Sequence, residues 1–284
     1  MKRENLVSPL LPYLPRLLLA PLVLATISPA SEITDRSWSI LQAALEDKSS
    51  DKRVKALHAL SLLTNNAQAG DLAEKALADP SPHVRSAAAK SLGQMKAAAA
   101  RPKLREALND PEIEVVIAAA NALYVFKDPA AYEVYYALLT GERKSSAGIL
   151  RTELKSLKDR HTIEKMAFET GIGFVPFGGM GYEAWKTVTQ DDTSPVRAAA
   201  AERLATDPDA KSGTALAHEC SDNKWRVRQA AVDAIAARGD PALSYGLIAV
   251  LEDPNDNVRF DAAAAIIRFN TAKPRQRIHK PVPR

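Results

Sequence analysis

Apolar residues return along this chain at spacings of three, four and seven, in blocks about 31 residues apart. Six positions mark the blocks: Arg53, Arg85, Val116, Arg197, Arg228 and Arg259. An alanine stands three residues after each: Ala56, Ala88, Ala119, Ala200, Ala231 and Ala262. Seven residues after each stands Leu60, Leu92, Leu123, Leu204, Ile235 or Ile266. These spacings place both rows on one face of a helix. Six residues before each mark comes an aspartate: Asp47, Asp79, Asp110, Asp191, Asp222 and Asp253. Aspartate accepts hydrogen bonds from the free N–H groups at a helix start, and the prolines beside several of them are tolerated in a first turn. Each block therefore predicts a turn, a small-residue helix and a partner helix. One such hairpin cannot bury a core, whereas stacked hairpins can. The expectation is an all-α molecule with alanines at its close helix contacts.

One arginine and one aspartate per block read as a ladder of ion pairs and caps, because periodic placement is what stacking requires. Asp47, Arg53, Asp79, Arg85, Asp110, Asp191, Arg197, Asp222, Arg228, Asp253 and Arg259 are accordingly structural positions. In this Asp-Pro-x-x-x-Val-Arg-x-x-Ala-Ala run, clearest at Asp79–Ala89 and Asp253–Ala263, the chain resembles the HEAT-like repeat family, in particular the short-repeat type of phycobilisome lyases. The resemblance covers roughly residues 35–270. It implies a right-handed α-solenoid of about seven stacked hairpins. For function it implies only a range, since such solenoids serve as scaffolds, lyases, hydroxylases and nucleic-acid binders.

The departures from the repeat are as informative as the repeat. Val116 breaks the arginine ladder. A degenerate block follows Asp128-Pro129, with Tyr132, Val134, Tyr135 and Leu139 on its first helix. Val116 to Arg197 is 81 residues, so about 19 exceed two further blocks. The excess centres on Gly171–Tyr182, within an insertion near residues 171–190. It holds five of the chain's twelve glycines, and Phe174, Phe177, Met180, Tyr182 and Trp185 supply apolar area. No Gly-Lys-Ser/Thr follows, so it is not a phosphate loop. Three readings stand: a loop filling a gap in the solenoid, a partner-binding or self-association patch, or a membrane contact, the last not favoured. Phe260 is a further exposed-anchor candidate, or else a cap on the final repeat. Two rows on the helices outline a concave wall. With Ala147 taken as the mark of the degenerate block, one follows the marks by one residue (Val54, Ser86, Ile117, Gly148, Ala198, Gln229, Phe260), the other by five (His58, Lys90, Asn121, Thr152, Glu202, Asp233, Ala264).

The two ends differ from the body. Residues 1–30 have the layout of a secretory signal: Lys2, Arg3 and Arg16, an apolar run from Leu17 to Ile27, then small residues at Ser28-Pro29-Ala30. Cleavage near Ala30 and an exported bacterial protein, periplasmic or secreted, are expected. An uncleaved N-terminal membrane anchor is the alternative. Residues 271–284 carry five basic residues, no acid and three prolines, and read as a disordered tail. Of the net +4, residues 1–30 carry +2 and the tail +5, which leaves residues 31–270 at about −3. The basic balance lies at the ends, so no nucleic-acid partner is expected.

Catalytic constellations are scarce. His218-Glu219 resembles one of the His-Glu pairs with which deoxyhypusine hydroxylases hold two irons, but that family uses several facing pairs and this chain has one. No His-x-x-x-His, Cys-x-x-Cys or Gly-x-Ser-x-Gly occurs. Cys220 takes the place of Leu77, Leu108 and Leu251 and reads as a small buried apolar residue. No cofactor or metal is expected. The reading is a non-catalytic scaffold or adaptor for a protein partner. The alternative is a phycobilisome-lyase-like or other HEAT-repeat enzyme acting on a partner protein.

Overall fold

The computed structural model describes residues 29–140 and 194–271. All regular structure among them is helical: α1 Pro29–Leu45, α2 Ser50–Leu60, α3 Ala67–Lys75, α4 Pro82–Gln94, α5 Arg101–Ala107, α6 Ile113–Val125, α7 Pro129–Thr140, α8 Ser194–Leu204, α9 Ala210–Glu219, α10 Trp225–Arg238 and α11 Asp256–Thr271. Two 3-10 stretches, Pro241–Leu247 and Ala249–Glu252, stand where α10 would have a partner helix. The sequence marks fall at the starts of α2, α4, α6, α8, α10 and α11. These helices pack on one another as an inner layer, and α3, α5, α7 and α9 form the outer one. The chain is an all-α helical-repeat solenoid.

The alanine row explains the close stacking. Ala56, Ala88, Ala119, Ala231 and Ala262 are fully buried, and Leu60, Leu92, Leu123, Ile235 and Ile266 lie beside them. At Gly93 an added Cβ would stand 3.0 Å from Ala122 Cα, so α4 and α6 approach almost backbone to backbone. The register differs in α8. Ala200 is exposed, and Ala198 and Ala201 are buried instead. Among the described inner helices α8 packs against α10.

The turns close in a repeated way that the sequence hid. Lys96 (φ 58°) and Lys127 (φ 56°) are left-handed, with Asn65 (φ 59°) and Gly239 (φ 66°) at the equivalent bends. The Lys96 amide donates to Gly93 O (3.1 Å) and the Ala97 amide to Leu92 O (3.0 Å). The Lys127 amide donates to Tyr124 O (2.9 Å) and the Asp128 amide to Leu123 O (2.9 Å). Both are Schellman closures, in which the repeat leucine supplies the outermost acceptor.

The ion-pair ladder runs between repeats. Arg53 reaches Asp79 (Nε–Oδ2 2.8 Å) and Arg85 reaches Asp110 (2.7 Å) through paired bonds. Arg228 reaches Asp253 in the same way (2.5 and 2.8 Å), and Arg197 contacts Asp222 and Glu219. Each aspartate also accepts from the amide two residues on, as Asp79 does from Ser81 (2.8 Å). Arg85 and Arg228 further donate to the carbonyl of their own repeat's aspartate. Where Val116 breaks the row, Arg105 of α5 substitutes by pairing with Asp128 (2.8 Å).

Helix α1 packs on α2 and also on α11, the last described helix. Phe260 is not an exposed anchor: only 3% of it is accessible, and it lies in the core with Ile266 and Ile267. Asp191 and the insertion residues Phe174, Phe177, Met180, Tyr182 and Trp185 lie outside the described residues.

Candidate functional site

A groove of about 730 Å3 runs along the inner helices. Its wall comes from Asp51, Val54, Lys55 and His58 of α2 and from His83, Ser86, Lys90, Ser91 and Gln94 of α4. Glu114 of α6, Gln229 of α10 and Asn257 of α11 complete it. Val54, Ser86 and Gln229 belong to the first sequence row, His58 and Lys90 to the second. Both rows thus face one space, because residues four apart on a helix share a face.

The groove is polar and largely self-paired. Lys55 bonds Asp51 (2.6 Å), and Asp256 lies 4.0 Å from the same ammonium. His83 Nδ1 stands 3.0 Å from Glu114. The Ser91 hydroxyl donates to Leu57 O (2.7 Å), tying α4 to α2. Gln229 donates through Nε2 to Asp261 (2.8 Å). Burial pushes the Asp261 carboxyl up to about 6, with His58 and the Gln229 bond opposing the rise. Desolvation also pushes Asp233 well above the usual carboxylate range, and the neighbouring charges of Asp261 and Glu202 add to it. An acid on α11 thus lies near a histidine on α2, with a second acid on α10 behind it. The arrangement offers donors and acceptors from both chain ends to an extended occupant, with few apolar contacts.

A second feature escaped the sequence reading. Tyr124 (53% exposed), Tyr132 (53%) and Tyr136 (57%) form an aromatic surface with Tyr135 on α6 and α7. Tyr124 meets Tyr132 and Tyr135 edge to face at 5.8 and 5.9 Å. The Tyr135 hydroxyl donates to Asn121 Oδ1 (2.6 Å). Four of the chain's seven tyrosines within thirteen residues was the available signal.

Cys220 is buried, and burial pushes its thiol up to about 12, so it is no nucleophile. His218 and Glu219 meet at 3.2 Å on the surface. Among the described residues no three His, Cys, Asp or Glu gather as metal ligands. Nor is any described helix long and apolar enough to cross a membrane.

Comparison with known proteins follows the fold. No curated protein matches the chain. Human deoxyhypusine hydroxylase in complex with glycerol is similar at 20% identity, over 84% of this chain and 98% of that one, with a TM-score of 0.31. The complex of CpcE and CpcF of phycocyanin lyase from a Nostoc species is similar at 19% identity, over 89% and 100%, with a TM-score of 0.31. A designed armadillo repeat protein is similar at 18% identity, over 81% and 98%, with a TM-score of 0.26. The family model for HEAT repeats matches residues 37–124, 71–147 and 183–274, most of the length, and the chain belongs to the HEAT-repeat family.

Proposed function

We propose that this chain is a protein-binding scaffold that holds an extended segment of a partner in the inner groove. The observation that carries this reading is the groove itself: hydrogen-bonding side chains from five inner helices converge on one open space. Amide and hydroxyl groups at Gln94, Gln229, Asn257 and Ser86 suit a peptide backbone, which presents one donor and one acceptor per residue. Lys90 supplies charge at the centre, and the His58 imidazole lies beside it on the groove wall. The insertion around Phe174 and Phe177 and the tyrosine surface are secondary contacts. Export with loss of residues 1–30 belongs to the same reading. A cut at Ala30 falls in the first turn of α1 and leaves the rest of that helix in place.

Cross-linking capture from the native host tests it. Intact protein is compared with His58→Ala/Lys90→Glu and with a chain lacking residues 171–181. A partner set lost in the groove variant supports the groove. An unchanged set in both variants overturns the reading.

One observation favours an enzyme acting on a partner protein. Asp261, with its raised pKa, lies near His58, and a perturbed carboxyl beside an imidazole is a common acid–base setting. Modification of a captured partner that stops in Asp261→Asn, with capture intact, would establish that activity instead.

A further inference from the structure

The helix that completes the last repeat comes from the other end of the chain. Every earlier inner helix is followed by its own outer element, as α2 by α3 and α10 by the 3-10 stretches. Helix α11 is the last described, and α1 lies against it. Asn270 of α11 donates through Nδ2 to Thr34 Oγ1 (2.7 Å) and Ala30 O (3.4 Å), 236 and 240 residues away. Arg36 pairs with Glu252 across the same junction. Trp38, Leu41 and Ala44 give α1 a buried stripe, and Ile266, Ile267 and Phe269 are buried on α11. On its other side α11 packs on α2, with Lys55 facing Asp256. The described layers therefore run α8/α9, α10, α11/α1, α2/α3, α4/α5, α6/α7, and the first and last described helices meet in the middle of the stack.

We propose that the α1–α11 junction is an intramolecular docking joint whose closure builds the groove, so that groove geometry and the joining of the chain ends form one equilibrium. The occupant of the α1 face is this chain's own helix α11. The groove wall contains α2 and α4 from the N-terminal side and Gln229 and Asn257 from the C-terminal side. If the joint opens, the α2 and α11 walls separate and no single half retains the site. By linkage, whatever binds across the groove holds the joint closed. The inference deepens the binding reading in that respect, but closure itself needs no ligand.

Two measurements on the full chain test it without a groove ligand. In Thr34→Cys/Asn270→Cys, a short bis-maleimide, which adds one thiol across each of its two C=C bonds, is applied to folded protein, and buried Cys220 remains as an unreactive control. The expected product is a 34–270 link within one chain, formed in most molecules at a rate independent of protein concentration. No link, or links between chains that grow with concentration, would overturn the proposal. In Leu41→Ala, hydrogen exchange should speed up at least tenfold in α11 and α2 together, while α6 keeps its protection. Exchange that rises in α1 alone overturns it too. Because neither arm involves a partner, failure here leaves the binding reading standing, and failed capture leaves the joint standing.

Discussion

At the scale of single residues, the carboxyls divide into two groups with opposite pH behaviour. Burial pushes the Asp79 and Asp222 carboxyls up, but the arginine bonds and backbone amides outweigh it and hold both below the usual value. Their contribution is present above about pH 4 and is lost as pH falls through their folded values. Asp261 is the reverse. Its folded value of about 6 lies above the unfolded one, so the protonated form is favoured on folding. Its effect is most favourable below about pH 4, where both states are protonated, and is lost as pH rises through 6. Thermal unfolding from pH 4 to 8 should therefore show stability falling between about pH 4 and 6 and levelling off above that. Asp261→Asn should raise Tm at pH 7.5 and flatten that slope, since an amide oxygen still accepts from Gln229. An unchanged slope would show that Asp261 does not titrate in this window. Lys96 gives a second residue-scale expectation. Its exposed side chain sits at a left-handed position, so Lys96→Gly should stabilise by up to about 1 kcal/mol in urea unfolding, strain relief exceeding the added chain entropy. The sequence signals glycine-marked bends such as Gly239, but not lysine-marked ones.

At the scale of elements, the arginine ladder was legible because it is periodic, and its partners were not. The sequence gives one arginine and one aspartate per repeat without saying which meets which; Arg53 donates to the Asp47 carbonyl of its own repeat, and its bidentate bond goes to Asp79 of the next. Stacking brings the following turn under the guanidinium, which linear spacing does not reveal. The ladder is therefore inter-repeat glue, and its energy should appear in coupling between neighbours. Arg85 and Asp110 are about one-tenth exposed, so Arg85→Met strands a carboxylate and should cost about 3 kcal/mol. Asp110→Asn in that background should recover part of the loss, giving a coupling of about 1–2 kcal/mol in a double-mutant cycle. Strict additivity would reduce the pair to a surface contact. The groove was legible for the same reason as the ladder: His58, Lys90 and Gln229 repeat at fixed offsets. The tyrosine surface on α6 and α7 was missed because it belongs to the degenerate block, where no register leads to it.

At the scale of the whole molecule, the fold class was readable, but the order of the layers was not. Local periodicity says that hairpins stack and is silent on which hairpin meets which. Phe260 shows the consequence: placed by register on the last repeat, it looks like a terminal residue, whereas it is buried in the core on a helix that packs against α1, α2 and α10. An open array frays from its ends, because a terminal repeat has one neighbour. Here α1 and α11 have neighbours on both sides, so the chain ends should be among its more cooperative parts. Trp38 on α1 is 8% exposed and Trp225 on α10 is 38% exposed, which supplies two reporters on opposite sides of the junction. With Trp185→Phe in the background, Trp38-only and Trp225-only chains should unfold in urea at the same midpoint and slope. In Leu41→Ala both midpoints should fall together. A Trp38 transition preceding that of Trp225 would instead describe α1 as an ordinary fraying end, and the layers on either side of it as independent units.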